Sequence, residues 1–99
     1  MKNYIQITNK METYNGYTNF ETWLIALHID NDAKLNDGIN TIYSPDVYNF
    51  SNNLKHFFDD MVCHIGDVLP GSSLPVDLLN AALSAVNWSE IASLIIEDK

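Results

Sequence analysis

Three side chains stand at helical spacing with types that could do chemistry: His56, Asp60 and His64, with Cys63 beside them. Residues four apart on a helix project from nearly the same face, drifting by about 40° per step because four residues overshoot a 3.6-residue turn. Imidazole and carboxylate are ordinary zinc ligands, so this spacing permits a shared metal. A metal centre also needs further ligands and a supporting shell, and nothing in the sequence supplies them. The plainer reading is a polar face opposite the Phe50-Leu54-Phe57-Met61 stripe, and we adopt it. The sequence therefore predicts no metal and no cofactor.

Hydrolytic chemistry is less well supported. Cys63 and His64 are neighbours, and adjacent helical residues diverge, so they make no nucleophile–base pair. Cys63 reads as a small, partly buried residue. Asp59 and Asp60 point apart for the same reason. No glycine-rich phosphate loop, nucleophile elbow or CxxC pair is present. These observations predict a protein that is not an enzyme.

Composition narrows the partners. Five lysines, no arginine and thirteen acids give a formal charge of −8 over 99 residues. That balance repels phosphate backbones, so direct nucleic-acid binding is not expected. An acidic surface instead favours basic proteins, including those that handle DNA or RNA. Asp30, Asp32 and Asp37 cluster after the first predicted helix, Asp59, Asp60 and Asp67 lie along the long one, and Glu97 and Asp98 stand at the end of the chain. Such acids could imitate a phosphate track, or they could serve solubility alone. Asp30, Asp32, Asp37, Asp59 and Asp60, with Tyr14 and Tyr17 outside the apolar stripes, are the candidate partner-binding residues. For Trp23 and Trp88 the two readings are an aromatic contact surface and a core anchor. Their places on apolar stripes favour the core.

The elements that would position these residues are helices. Residues 1–17 read as a polar N-terminal arm, with an extended piece at Tyr4 to Thr8, a turn at Asn15-Gly16 and an alternative start at Met11. Residues 18–99 read as a single helical domain. Thr18-Asn19-Phe20-Glu21 is a capping box with Thr18 as the cap, followed by Phe20, Trp23, Leu24 and Leu27 on one stripe. Residues 33–43 are ambiguous, with Gly38 expected to break whatever forms. Ser44-Pro45-Asp46 starts the longest helix, and Leu69-Pro70-Gly71-Ser72-Ser73 ends it as a loop. Leu74-Pro75 restarts the chain, and Asn87-Trp88-Ser89-Glu90 is a second capping box.

The expected fold is all-α, a compact bundle of four or five helices, with 18–31, 45–69, 75–85 and 88–97 the strongest. Its core should hold Phe20, Trp23, Leu24, Leu27, Phe50, Leu54, Phe57, Met61, Ile65, Leu79, Leu83, Trp88, Ile91 and Ile95. The single cysteine fits a reducing compartment. The longest apolar stretches, such as Trp23 to Leu27, fall far short of the ~20 residues of a membrane span. A cytoplasmic protein with no membrane partner is expected, and the amphipathic long helix leaves room for a homodimer.

The stretch Asn15-Gly16-Tyr17-Thr18-Asn19-Phe20-Glu21-Thr22-Trp23, continuing to Leu27 and Asp30-Asn31-Asp32, resembles a family of small proteins of unknown function common in phages and mobile elements. Its members carry an NGxTNYETW…LWxxND core; Phe20 stands where they have tyrosine and His28 where they have tryptophan. Val86-Asn87-Trp88-Ser89-Glu90-Ile91-Ala92 is similar to the family's closing V-D/N-W-x-E-I-A segment. The resemblance carries no activity. It implies a viral or mobile-element accessory protein acting in the host cytoplasm. Combined with the charge, it leads to the expectation of an inhibitor of a host nucleic-acid-handling system, such as a restriction enzyme, CRISPR effector or RNA polymerase. The alternative is a small structural or interaction adaptor.

Overall fold

The chain folds as an all-α bundle in a computed structural model that describes residues 13–68 and 73–99. Five helices follow in order: α1 (Phe20–Asn31), α2 (Ala33–Asn40), α3 (Val47–Val68), α4 (Ser73–Ser84) and α5 (Trp88–Asp98). The extended piece expected at Tyr4 to Thr8, the start at Met11 and residues 69–72 of the loop lie outside the described residues.

The chain enters α1 through a tight turn. Asn15 and Gly16 both have positive φ, 50° and 88°, as the two central residues of a type I′ turn require. Tyr14 and Tyr17 exchange two backbone hydrogen bonds across it, at 2.7 and 2.8 Å.

The first helix is capped by Asn19 and not by Thr18. The Asn19 side chain accepts from the Thr22 amide at 2.9 Å and from the Thr22 hydroxyl at 2.6 Å. Thr18 is released because its amide donates to the Glu90 carboxylate on α5 at 3.0 Å. The second capping motif behaves reciprocally. Asn87 caps α5 by accepting from the Glu90 amide at 3.1 Å, while its own amide donates to the Thr22 hydroxyl at 2.9 Å. Asn87 Nδ2 donates to the Thr18 hydroxyl, and Asn19 Nδ2 donates to the Ala85 carbonyl. Two helix starts more than sixty residues apart therefore cap each other, with Thr22 fully buried between them.

That clasp sets the rotation of α1. The helix is apolar around most of its circumference, so spacing alone does not choose its buried side. Thr22 and Ile29 face inward, with Ile25 packed beside them against the core. The Phe20-Trp23-Leu27 stripe, expected in the core, points the other way: Phe20 is 45% and Leu27 37% exposed, and Trp23 and Leu24 are half-buried.

The core lies where α3 packs against α5 and α4. Phe50, Leu54, Phe58 and Val62 are buried along α3 at four-residue steps, and the first three join Trp88, Ile91 and Ala92 of α5 in one core cluster. Phe58 stacks on Trp88 with ring centroids 5.3 Å apart. Two apolar rows run side by side on α3. The core takes the Phe58-Val62 row, leaving Phe57 and Ile65 half-buried and Met61 exposed, contrary to the expected core. Leu79 is exposed as well, while Leu83 and Ile95 lie at the core's edge.

The ambiguous stretch forms α2 straight through Gly38. Asp32 caps it by accepting from the Leu35 amide at 3.1 Å, and Ile39 is buried. A Cβ on Gly38 would stand 3.0 Å from the Phe57 ring. The glycine thus permits close approach to α3 instead of breaking the helix.

The clasp gives a sharp expectation for Thr22. Thr22→Val removes the hydroxyl and leaves the Asn87 amide without its acceptor, so it should cost about 1–3 kcal/mol in urea unfolding. Thr22→Ser keeps the hydroxyl and should cost about 1 kcal/mol. Equal losses would show that the hydroxyl does not matter. Trp88→Ala should cost about 3–5 kcal/mol. Trp23→Ala should cost no more than about 2 kcal/mol, because its ring is half-buried outside the core.

Candidate interaction surface

Among the described residues no group of three or more His, Cys, Asp and Glu side chains is placed to hold a metal ion. His56, Asp60, Cys63 and His64 are all exposed along α3. Cys63 was expected to be partly buried. Its place on the solvent side of α3 follows from the same choice of row that buries Val62. Asp59 pairs with Lys55 one turn back, at 3.0 Å on the surface, a contact of small energetic weight.

The sequence-predicted acids divide into two sets. Asp59 and Asp60 lie on α3, Asp32 is engaged as the α2 cap, and Asp37 is exposed on α2. Asp30 is drawn into a concave site. It stands on the rim of a groove of about 150 Å³ between α1 and α5, with Tyr17 on the same groove. Ala26, Ile29, Ile91 and Ile95 line it as an apolar floor, and Glu97 and Asp98 of α5 join Asp30 as acids. A second groove, of about 210 Å³, shares Ile29, Asp30, Ile95 and Asp98. Asp30 and Asp98 thus form a ridge common to both. Glu97 and Asp98 were not among the expected binding residues, because only the packing of α5 against α1 brings them to Asp30.

Positive charge is sparse around this ridge. Lys99 donates to the Asn40 side chain at 2.8 Å and sits 4.9 Å over the Tyr43 ring, a favourable cation–π distance. Its ammonium is therefore directed onto α2 and Tyr43, while it also lines the second groove.

The outward side of α1 makes a second feature. Tyr14, held by the Asn15-Gly16 turn, sets its ring 5.2 Å from Phe20 and 5.1 Å from Trp23. Phe20 and Trp23 are themselves 5.8 Å apart. With Leu27 one turn on, these rings make a surface stripe of aromatic and apolar side chains at i, i+3 and i+7. Sequence reasoning placed this stripe in the core and Tyr14 among the contacts. The structure brings them into one surface.

The family of unknown function DUF7249 matches residues 10–99, nine-tenths of the chain, and the chain belongs to that family. No curated protein and no solved structure matches it. The clasp is built from the two segments singled out in the sequence, so their Thr18, Asn19, Thr22, Asn87 and Glu90 have a structural role. The surface features are carried by Tyr14, Tyr17, Phe20, Trp23 and Asp30 of the first segment.

Burial of the two tryptophans separates these roles experimentally. Acrylamide should quench Trp23, observed alone in a Trp88→Phe variant, several-fold more efficiently than Trp88 observed alone in Trp23→Phe. Equal quenching would mean that the α1 stripe is covered.

Proposed function

We propose that this chain is a non-enzymatic accessory protein of a phage or mobile element that binds and inhibits a host nucleic-acid-handling protein, working in the host cytoplasm. The observation that carries this reading is the convergence of Asp30, Glu97 and Asp98 on an apolar-floored groove with Tyr17. Carboxylates around an apolar floor suit an arginine or lysine side chain, whose aliphatic stem packs below while its charged head meets the acids. Basic side chains are what nucleic-acid-handling proteins present to phosphates. The net charge of −8 extends the attraction beyond the groove. Asp32, which caps α2, and Asp37 on α2 are exposed and add to it, and Asp59 and Asp60 supply a further acidic stretch on α3.

A second reading, the apolar adaptor, has one observation in its favour. On α4, Leu74 is 67% and Leu78 62% exposed, and Asp77 is its only charged residue.

The two readings respond oppositely to salt. Contacts between exposed charges are screened beyond ~10 Å at 0.1 M ionic strength, so inhibitor capture should be lost as salt rises. Affinity capture from a bacterial lysate at low and high salt, followed by assay of the captured enzyme, tests this. The expected result is a basic nuclease, polymerase or CRISPR component, captured at low salt only and inhibited by the added chain. Capture and inhibition should both disappear with Asp30→Asn, Glu97→Gln and Asp98→Asn combined, a variant expected to keep its helical circular dichroism. Capture that survives high salt and these substitutions but fails with Leu74→Asp and Leu78→Asp would establish the adaptor instead.

A further inference from the structure

We infer that the α1 stripe of Tyr14, Phe20, Trp23 and Leu27 is the docking surface for a basic amphipathic helix of the partner protein. This rests on the reading of the chain as a binder of a basic protein, and it names the element by which that partner is held. Three observations lead to it. First, the stripe is an outward face that α1 does not need for folding: Thr22, Ile25 and Ile29 anchor the helix to the core from the opposite side. Second, the stripe is built and held. Positive φ at Asn15 and Gly16 turns Tyr14 back onto α1, where its ring stays within 5.2 Å of both Phe20 and Trp23. An aromatic surface of restricted side chains loses little freedom when a partner lands on it. Tyr and Trp are also the residue types that dominate binding energy at protein interfaces.

The third observation selects the occupant. Helical periodicity, with residues advancing by about 100° each, places Asp30 on the margin of the stripe beside Trp23, while Leu24 and then His28 follow Phe20 on the other side. An apolar stripe with a carboxylate along one margin, in a chain of net charge −8, is complementary to a helix with leucine-like side chains along one face and lysine or arginine on its flank. Asp30 also belongs to the groove between α1 and α5. A flanking cation of a helix seated on the stripe therefore lies beside the carboxylates of that groove. A second copy of this chain is a poorer match, since each would bring Asp30 and a net charge of −8 to the contact.

The test uses the full chain and three fluorescein-labelled 14-residue peptides, read by anisotropy. One has leucines at i, i+3, i+4 and i+7 with lysines elsewhere. The second has the same composition without helical period, and the third replaces lysine with glutamate. Saturable binding of the first is expected, with affinity at least about tenfold lower for the second and none for the third, as loss of a hot-spot contact gives. Leu27→Asp separates docking from general charge attraction by the sign of its effect. It makes the chain more acidic, so mere attraction would tighten binding, whereas docking on the stripe predicts weakening of about tenfold. Phe20→Glu, at a position 45% exposed, must act in the same direction and serves if Leu27→Asp unfolds.

Equal binding of the periodic and scrambled peptides would overturn the inference. So would unchanged or tighter binding by both variants. Sedimentation that shows a dimer broken by Leu27→Asp would identify a second copy as the occupant. If Leu27→Asp still captures and inhibits the salt-sensitive host protein, the stripe is excluded while the inhibitor reading stands. If the wild-type chain captures no such protein, the inhibitor reading falls, and the peptides judge the stripe by themselves.

Discussion

The hydroxyl of Thr22 is the group on which the arrangement depends. It donates to Asn19 and accepts from the Asn87 amide, so one buried oxygen satisfies the starts of two helices. Helix starts leave backbone amides without intrahelical partners, and burial makes that expensive. The economy here is reciprocal: Thr18 receives its acceptor from Glu90 on α5, and Ala85, just before α5, receives its donor from Asn19. Neither helix start is fully provided for without the other. α1 and α5 are consequently fixed in angle and rotation, and the groove between them is a by-product of that fixation.

The rotation of α1 then divides its apolar residues into two populations with different purposes. Ile25 and Ile29 complete the core that α3 and α5 build around Phe50, Leu54, Phe58 and Trp88. Phe20, Trp23 and Leu27 are left on the outward side, where the Phe20 and Trp23 rings pack on each other and on Tyr14. A helix that is hydrophobic all round is normally buried on every side. Here one side is not, in a chain whose net charge is −8.

Much of the fold was legible because its signals are local. Asn87 before an apolar run announces α5, Asp46 and Pro45 announce α3, and Asn15-Gly16 announces a turn; each acts within a few residues. Failures came where a choice depended on distant packing. Thr18 and Asn19 both suit a cap, and Glu90, 72 residues beyond Thr18, decides between them by accepting from the Thr18 amide. Phe57 and Phe58 head two equally apolar rows of α3, and the packing of Trp88 selects one. α2 was obscured because Gly38 looks like a breaker until the Phe57 ring is known to lie against it. The candidate site was legible only in fragments. Tyr14, Tyr17 and Asp30 could be singled out by type, but the turn sets Tyr14 on Trp23, and only the packing of α5 against α1 brings Glu97 and Asp98 to the groove of Tyr17 and Asp30.

The span of that clasp bears on how the chain acquires its structure during synthesis. Its side-chain bonds join residues 65 to 72 positions apart. Contacts so remote in sequence carry a large loop-closure cost before they return any stabilisation, and they slow folding relative to a bundle of locally paired helices. The ribosome emits residues at roughly 5–20 per second. Thr22 is therefore exposed for several seconds before Asn87 is even made. During that interval the aromatic first helix has no settled inner side, and all of its faces are open to other chains. A small, highly charged chain is well served by its own repulsion at that stage, so the acidity that suits a basic partner also guards the nascent chain against aggregation.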